Sequence, residues 1–134
     1  MDVFSKLRKM SLLLIDDDEW VRDSLRLYFE NEGCKIVAVE TAEEGLDLVK
    51  NQNFDVIITD YRLPGMDGLE FIGRLPTEQA NALKILISAY GNREVRFRAK
   101  EAGIQEFVAK PFTSEIIEST LERLISGLDS IPKR

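Results

Sequence analysis

Residues 55–68 have the sequence DVIITDYRLPGMDG, in which a short apolar run ends in Asp60 and a loop containing Pro and Gly follows. A short apolar run bounded by turn residues is typical of a buried β-strand, in particular of a strand in a parallel sheet. We therefore predict a strand over residues 55–59, with Asp60 at its carboxyl end. In open α/β folds, ligands bind at that end of the strands.

More apolar runs of this kind flank that strand, and helical patterns separate them. The other predicted strands are LLLI at 12–15, KIVAV at 35–39, ALKILIS at 82–88 and IQEFVA at 104–109. The predicted helices cover 19–32, a segment that begins at Thr41, 69–75, 95–102 and a final segment that Thr113 caps. Strands that alternate with helices indicate right-handed crossovers and a parallel sheet covered on both faces. The predicted fold class is therefore α/β, a doubly wound (βα)5 domain.

The composition is that of one ordinary globular domain. The chain has 134 residues, of which 44% are hydrophobic and 31% are charged, and this length suffices for a core. We expect an N-terminal arm at 1–10, the domain at 11–127 and a C-terminal tail at 128–134. The apolar runs are too short to cross a bilayer, and residues 1–10 contain no secretory signal. We therefore expect a cytoplasmic protein that does not insert into a membrane.

Charge and cysteine content argue against nucleic-acid-binding, disulfide-linked and thiol-dependent proteins. The net charge of −6 argues against a surface that binds nucleic acid directly. Cys34 is the only cysteine and the chain contains no His, so we expect neither an internal disulfide nor a thiol activated by an imidazole. Cys34 is thus interpreted as a residue without a chemical role.

Polar and charged side chains follow the predicted strands at their carboxyl ends. Asp16 and Asp17 follow the first strand, Asp60 follows the third, Ser88 ends the fourth and Lys110 follows the fifth. Because the carboxyl ends of parallel strands meet at one edge of a sheet, these groups should lie close together. Acids, a hydroxyl and an amine in one place suit phosphoryl transfer to a carboxylate, assisted by a divalent metal.

The acidic residues at this edge predict a metal site. Asp16, Asp17 and Asp60 would repel one another without a cation, and Mg²⁺ prefers oxygen ligands such as one or two carboxylates together with phosphate. The alternative is that acids in this segment only favour the positive N-terminus of the helix that follows. We expect Asp18 and Glu19 to have that role alone.

Four segments, in this order and at this spacing, resemble the receiver domain of two-component response regulators. They are IDDDEWVRDSL, IITDYRLPGMDGLEF, LISAYG and EFVAKPF, and the resemblance extends from about Leu12 to Leu124. It implies a flavodoxin-like parallel sheet with the strand order 2-1-3-4-5. It also implies Mg²⁺-dependent phosphoryl transfer from a phosphohistidine, followed by a change in the surface of the fourth predicted helix, the fifth strand and the last helix.

The resemblance assigns roles in the phosphoryl site. It identifies Asp60 as the phosphoacceptor, with Ser88 and Lys110 in contact with the phosphoryl group. It also implies a cis peptide bond between Lys110 and Pro111, which is a bond that tolerates the cis form. The phosphoryl donor would be a sensor histidine kinase or a histidine phosphotransfer domain, since this chain has no His.

The resemblance also assigns the metal ligands. Asp17 would hold Mg²⁺ directly and Asp16 through a water, together with Asp60 and the backbone carbonyl of Arg62, and Mn²⁺ could substitute. The side chains of Arg62 and Tyr90, each two residues past a site residue, would flank the phosphoryl pocket and affect the access of water.

Two aromatic residues receive a separate interpretation. Phe107 occupies the switch position, where many family members have Tyr, and it would act together with Ser88. Trp20 lies in the first turn of the predicted first helix, so either it is near the metal site or it packs in the core.

Two other functions would use some of the same residues. A haloacid-dehalogenase-like phosphatase would use Asp16 as nucleophile and Asp18 as acid/base, but it would leave Asp60 without a role. A receiver that is never phosphorylated would act only as a scaffold, yet no residue of the site is missing. We expect no enzyme activity beyond self-catalysed phosphorylation and dephosphorylation. The downstream protein target, a phosphorylation-dependent dimer, and whether the chain stands alone or belongs to a longer regulator stay open.

Overall fold

The computed structural model describes the backbone of residues 2–130 and the side chains of residues 2–127. The strands are β1 Ser11–Ile15, β2 Lys35–Val39, β3 Val56–Asp60, β4 Leu83–Ser88 and β5 Glu106–Ala109. The helices are α1 Val3–Leu7, α2 Glu19–Asn31, α3 Ala42–Val49, α4 Gly68–Gly73, α5 Arg93–Glu101 and α6 Ser114–Ser130, with a 3₁₀ turn at Thr77–Gln79. No helix within the described residues is long and apolar enough to cross a membrane.

The strands form one parallel sheet in the order β2-β1-β3-β4-β5, which confirms the predicted fold class and strand order. Every residue of the central strands β3 and β4 is buried, as expected for strands covered on both faces. The register aligns Asp60 with Ile87 and Ser88 with Ala109. The carboxyl ends of these strands therefore meet at one edge.

The core has two halves, one on each face of the sheet. Side chains alternate along β1, so that Leu12 and Leu14 lie in one half and Leu13 and Ile15 in the other. The first half packs against α1, α2 and α6 through residues such as Val3, Leu7, Leu25, Phe29, Ile117 and Leu121. The second packs against α3, α4 and α5 through residues such as Val49, Phe71, Ile72, Val95 and Ala99. Cys34 lies buried in the first half.

Helix α1 is an element that the sequence analysis did not predict, since it assigned residues 1–10 to an arm. The side chain of Asp2 caps α1 by accepting from the N–H of Ser5 at 3.1 Å. Val3 and Leu7 are buried, and the ring of Phe4 lies 6.2 Å from the ring of Phe29 on α2. A helix of five residues is too short to be stable in isolation, so its tertiary contacts stabilise it.

Several predicted boundaries move by a few residues. Helix α5 begins at Arg93 because the side chain of Asn92 caps it, accepting from the N–H of Val95 at 2.9 Å. Strand β5 begins at Glu106 because the N–H of Ile104 donates to the carbonyl of Ala99 at 3.0 Å and closes the end of α5. The first residues of the predicted tail, 128–130, belong to α6. Its residues 131–134 lie outside the described residues.

Candidate functional site

The predicted site residues meet at the carboxyl edge of the sheet. Asp16 follows β1, Asp60 ends β3, Ser88 ends β4 and Lys110 follows β5. The Nζ atom of Lys110 lies 2.9 Å from Oδ2 of Asp16 and 3.0 Å from Oδ2 of Asp60. One amine therefore joins two carboxylates whose strands lie side by side.

A third carboxylate completes an acidic cluster. Carboxylate oxygens of Asp16, Asp17 and Asp60 lie within 4.8 Å of one another. Asp16 is fully buried and Asp60 is 5% exposed, whereas Asp17 faces solvent. The N–H of Asp18 donates to Oδ1 of Asp16 at 2.9 Å, and Arg22 on α2 donates to the backbone carbonyl of Asp16 at 2.9 Å. These contacts fix the position of the segment that carries the acids.

Asp18 has the structural role that was expected of it. Its Oδ1 atom accepts from the N–H of Trp20 at 2.9 Å and caps α2. An N-cap satisfies backbone N–H groups that lack a partner within the helix. This arrangement leaves Asp16 and Asp17, two positions and one position earlier in the chain, as the acids that face Asp60.

The residues present fit a divalent cation. Oδ2 of Asp16 is buried, and the cation that faces it is the ammonium of Lys110 at 2.9 Å, which Asp16 shares with Asp60. Three carboxylates face a single amine, so the cluster carries an excess of negative charge that a divalent cation would balance. Carboxylate oxygens are the ligands that Mg²⁺ and Mn²⁺ prefer.

The pKa shifts in the cluster also favour a site for a divalent cation. Burial, and next the charge of Asp16, raises the pKa of Asp60 from 3.8 to about 6. Burial likewise raises the pKa of Asp16. Burial alone would lower the pKa of Lys110, but its hydrogen bonds and charge attraction to Asp16 and Asp60 outweigh that effect and raise it. Lys110 thus stays charged while the acids are held at an electrostatic cost.

The loop after Asp60 depends on two glycines. Gly65 has φ +77°, a backbone conformation that residues other than Gly rarely adopt. The N–H of Gly68 donates to the carbonyl of Tyr61 at 2.9 Å, and a Cβ atom on Gly68 would lie 2.1 Å from the carbonyl oxygen of Asp60. The loop that carries Arg62 can therefore close tightly over the end of β3 only with Gly at this position.

Ser88 is positioned by the loop that follows β4. Its hydroxyl oxygen accepts from the N–H of Tyr90 at 2.8 Å, and the residue is buried. The hydroxyl hydrogen is therefore available to donate to another acceptor. The ring of Tyr90, which is 50% exposed, lies 4.3 Å below the guanidinium of Arg62. The two residues predicted to flank the pocket thus contact each other across the edge of the sheet.

Phe107 on β5 is half-buried and lies against α5. The guanidinium of Arg96 lies 4.2 Å above its ring, and Nε of Arg96 donates to the carbonyl of Gly91 at 3.1 Å. A Cβ atom on Gly91 would lie 3.2 Å from the Phe107 ring. Arg96 was missed by the sequence analysis because no local pattern indicates a contact between α5 and β5.

Trp20 does not pack in the core, so that alternative is wrong. The residue is 79% exposed and lines an open cleft of about 440 Å³, together with Lys110, Pro111 and Phe112. The bond between Lys110 and Pro111 is cis, as the resemblance implied.

Comparisons with known proteins agree with this geometry. A family model described as the response regulator receiver domain matches residues 12–122. The transcriptional regulatory protein FixJ of Bradyrhizobium diazoefficiens is 27% identical over 125 residues, which cover 93% of this chain and 61% of that protein. The sporulation initiation phosphotransferase F of Bacillus subtilis is 29% identical over 114 residues, which cover 85% of this chain and 92% of that protein.

Solved structures agree as well. The chemotaxis response regulator CheY4 of Vibrio cholerae superposes with a TM-score of 0.79 at 25% identity, covering 86% of this chain and 98% of that one. Several curated relatives are longer than this chain, which spans 29%, 61% and 17% of the length of three of them. Because the family match covers most of the chain and the fold is shared, this chain belongs to the receiver domains of two-component response regulators.

Proposed function

We propose that this receiver domain accepts a phosphoryl group on Asp60 from the phosphohistidine of a sensor histidine kinase or a histidine phosphotransfer domain. The observation that carries the proposal is a nearly buried carboxylate at the end of a central strand, paired with Lys110 at 3.0 Å and facing two further acids. A carboxylate oxygen of Asp60 attacks phosphorus, and the bond between phosphorus and the donor nitrogen breaks as the imidazole leaves. The product is an acyl phosphate.

Lys110 supports this transfer without a change of protonation. Its amine already lies beside Asp60, and its raised pKa keeps it charged. Once Asp60 carries the phosphoryl group, the amine can donate to a phosphoryl oxygen, because an ammonium group is a compact cation with three donors. Lys110 therefore stabilises the charge that develops during transfer.

Asp16, Asp17, Asp60 and the backbone carbonyl of Arg62 would hold Mg²⁺, for which Mn²⁺ could substitute. When bound, the ion neutralises the acids and the incoming phosphoryl oxygens and so lowers the cost of bringing them together.

Ser88 and Phe107 would carry the response from the site to the surface. A phosphoryl oxygen is a strong acceptor for the hydroxyl of Ser88, which already binds the N–H of Tyr90. The next residue, Gly91, lies so close to Phe107 that a Cβ atom on it would be 3.2 Å from the ring. A shift of this loop therefore reaches the surface of α5, β5 and α6, which are the fourth predicted helix, the fifth strand and the last helix.

The family fits a non-enzymatic signalling role. We propose that the only chemistry of the domain is on its own Asp60, in the cytoplasm, and that its output is a protein contact. The phosphatase alternative finds less support, because it assigns no task to Asp60 although Lys110 pairs with Asp60 as closely as with Asp16.

The test is phosphorylation of the purified chain by phosphoramidate or acetyl phosphate, followed by intact mass measurement. Wild type should gain one phosphoryl group only with Mg²⁺ or Mn²⁺, and Asp60→Asn should gain none. Asp47→Asn, which removes an exposed acid on α3, is the matched control and should be labelled like wild type. Labelling of Asp60→Asn, labelling of wild type in EDTA, or rapid turnover of phosphate esters would contradict the proposal.

A further inference from the structure

Helix α5 carries a surface whose charge is opposite to that of the chain as a whole. Arg93, Arg96, Phe97 and Lys100 are spaced i, i+3, i+4 and i+7, so they lie on one helical face. We call these four residues the α5 basic patch. All of them are exposed, and Phe97 is 63% exposed. Three cations thus lie along one flank of an exposed aromatic ring in a chain with a net charge of −6.

Most of this charge is unpaired. Among the described residues, the side chains of Arg93 and Lys100 have no ion-pair or hydrogen-bond partner. The two acids of α5, Glu94 and Glu101, lie three residues before and four after Phe97, which places them on the side away from Arg96. Phe97 therefore has cations on one flank and acids on the other.

We infer that the α5 basic patch binds an acidic, amphipathic protein segment. An apolar residue of that segment would cover Phe97, because burial of an exposed ring is favourable and aromatic residues anchor interfaces. Its carboxylates would face Arg93 and Lys100, since complementary charge sets orientation and partner choice. This inference rests on the proposed function, because it names the partner of the surface proposed there.

Nucleic acid fits the same surface less well. Binding to a phosphate backbone depends on how many phosphates are neutralised, and the patch offers two free cations, Arg93 and Lys100. The remaining cation, Arg96, is engaged with Gly91 and Phe107. The net charge of −6 would repel a polyanion that extends beyond the patch. A short acidic segment avoids that repulsion.

The patch is also connected to the phosphoryl site. Arg96 lies over the ring of Phe107 and donates to Gly91, which follows Ser88 by three residues. A shift of the loop after Ser88 would therefore move Arg96 and change the charge that the patch presents. A ligand that contacts Arg96 would therefore bind the protein with different affinity before and after this shift.

The probe is a labelled helical peptide of about 15 residues, with Leu at i and i+4 and Glu beside them, and a twin with Gln in place of Glu. Fluorescence anisotropy should show that wild type binds the acidic peptide at least tenfold more tightly than its twin. Phe97→Ser and the double change Arg93→Glu with Lys100→Glu should each weaken binding at least tenfold. Matched controls are Leu27→Ser, at a residue 53% exposed on α2, and Lys35→Glu on β2, which should bind like wild type.

Several results would overturn the inference: absence of binding, equal binding of the twin, equal binding by the α5 variants, tighter binding of duplex DNA, or self-association through α5 that excludes the peptide. Beryllofluoride with Mg²⁺, as a phosphoryl mimic, separates this inference from the proposed function. If the peptide binds at α5 but its affinity does not respond to the mimic, the proposed switch fails and the partner chemistry stands. If Asp60 is phosphorylated but the peptide does not bind, the partner chemistry fails.

Discussion

Replacing Asp60 by Asn should stabilise the metal-free protein while it abolishes phosphorylation. Asp60 is 5% exposed, and its carboxylate lies with those of Asp16 and Asp17; within the part of the chain that the structure describes, Lys110 is the cation that pairs with it. Removing one negative charge relieves this repulsion. Function and stability therefore oppose each other at this residue.

The magnitude follows from the pKa of Asp60. Burial, and next the charge of Asp16, raises this pKa from 3.8 to about 6. A difference of about two pKa units between the folded and unfolded chains corresponds to about 3 kcal/mol. A buried amide without a full set of hydrogen bonds costs about 1 kcal/mol. The net gain should be about 2 kcal/mol, or roughly 6 °C in Tm for a domain of this size.

The gain should depend on pH. Because the pKa of Asp60 is higher in the folded chain than in the unfolded chain, the folded chain binds the proton more tightly. Wild-type stability contributed by this group therefore falls as pH rises from about 4 to about 7. Asn does not titrate, so the advantage of Asp60→Asn should be small near pH 4.5 and complete near pH 7.5.

Urea denaturation in EDTA at both pH values measures the difference in the free energy of unfolding. Asp47→Asn, at an exposed acid on α3, is the control and should change that free energy by less than about 0.5 kcal/mol. Adding Mg²⁺ should stabilise wild type and so reduce the difference in the free energy of unfolding between wild type and Asp60→Asn. An Asp60→Asn variant that is less stable than wild type in EDTA at neutral pH, or equally stabilised at both pH values, would refute the reasoning.

Other predictions concern residues around the site and below it. Gly68→Ala should destabilise the protein by roughly 3 kcal/mol, because its Cβ atom would lie 2.1 Å from a backbone oxygen. A Cβ atom at Gly73 has nothing within 4 Å, so Gly73→Ala should be tolerated. Urea denaturation compares the two variants, and equal stability would contradict the expected clash at Gly68. Tyr90→Ala removes the contact with Arg62, worth about 0.5–1 kcal/mol, and should speed loss of the phosphoryl label about two- to fivefold. Intact mass measured over time gives the lifetime of the label, and an unchanged lifetime would show that Tyr90 does not shield the phosphoryl group from water. Burial lowers the pKa of Lys84, whose amine donates to the carbonyls of Ala80 and Ala82, so the stability of wild type relative to Lys84→Met should rise as alkaline pH neutralises the amine; a stability difference that is constant with pH would exclude this cause.

The sequence was sufficient to predict which residues meet at the carboxyl edge of the sheet. Asp16, Asp60, Ser88 and Lys110 each stand at the carboxyl end of a short apolar run, and short apolar runs indicate strands through local composition alone. The geometry of a parallel sheet then brings those ends together, whatever the details of packing. The acidic cluster and the ion pairs of Lys110 follow from that single rule.

The tertiary structure alone decided the contacts between elements that have no common local pattern. The core position of α1, the stacking of Arg62 on Tyr90 and the contact of Arg96 with Phe107 join residues from separate segments. The exposed position of Trp20 is a further case, since its neighbours Val21 and Leu25 turn inward while it does not. Hydrophobic periodicity reports which face of an element is buried, but the distance between two side chains depends on how the elements pack, and that is set by the whole core at once.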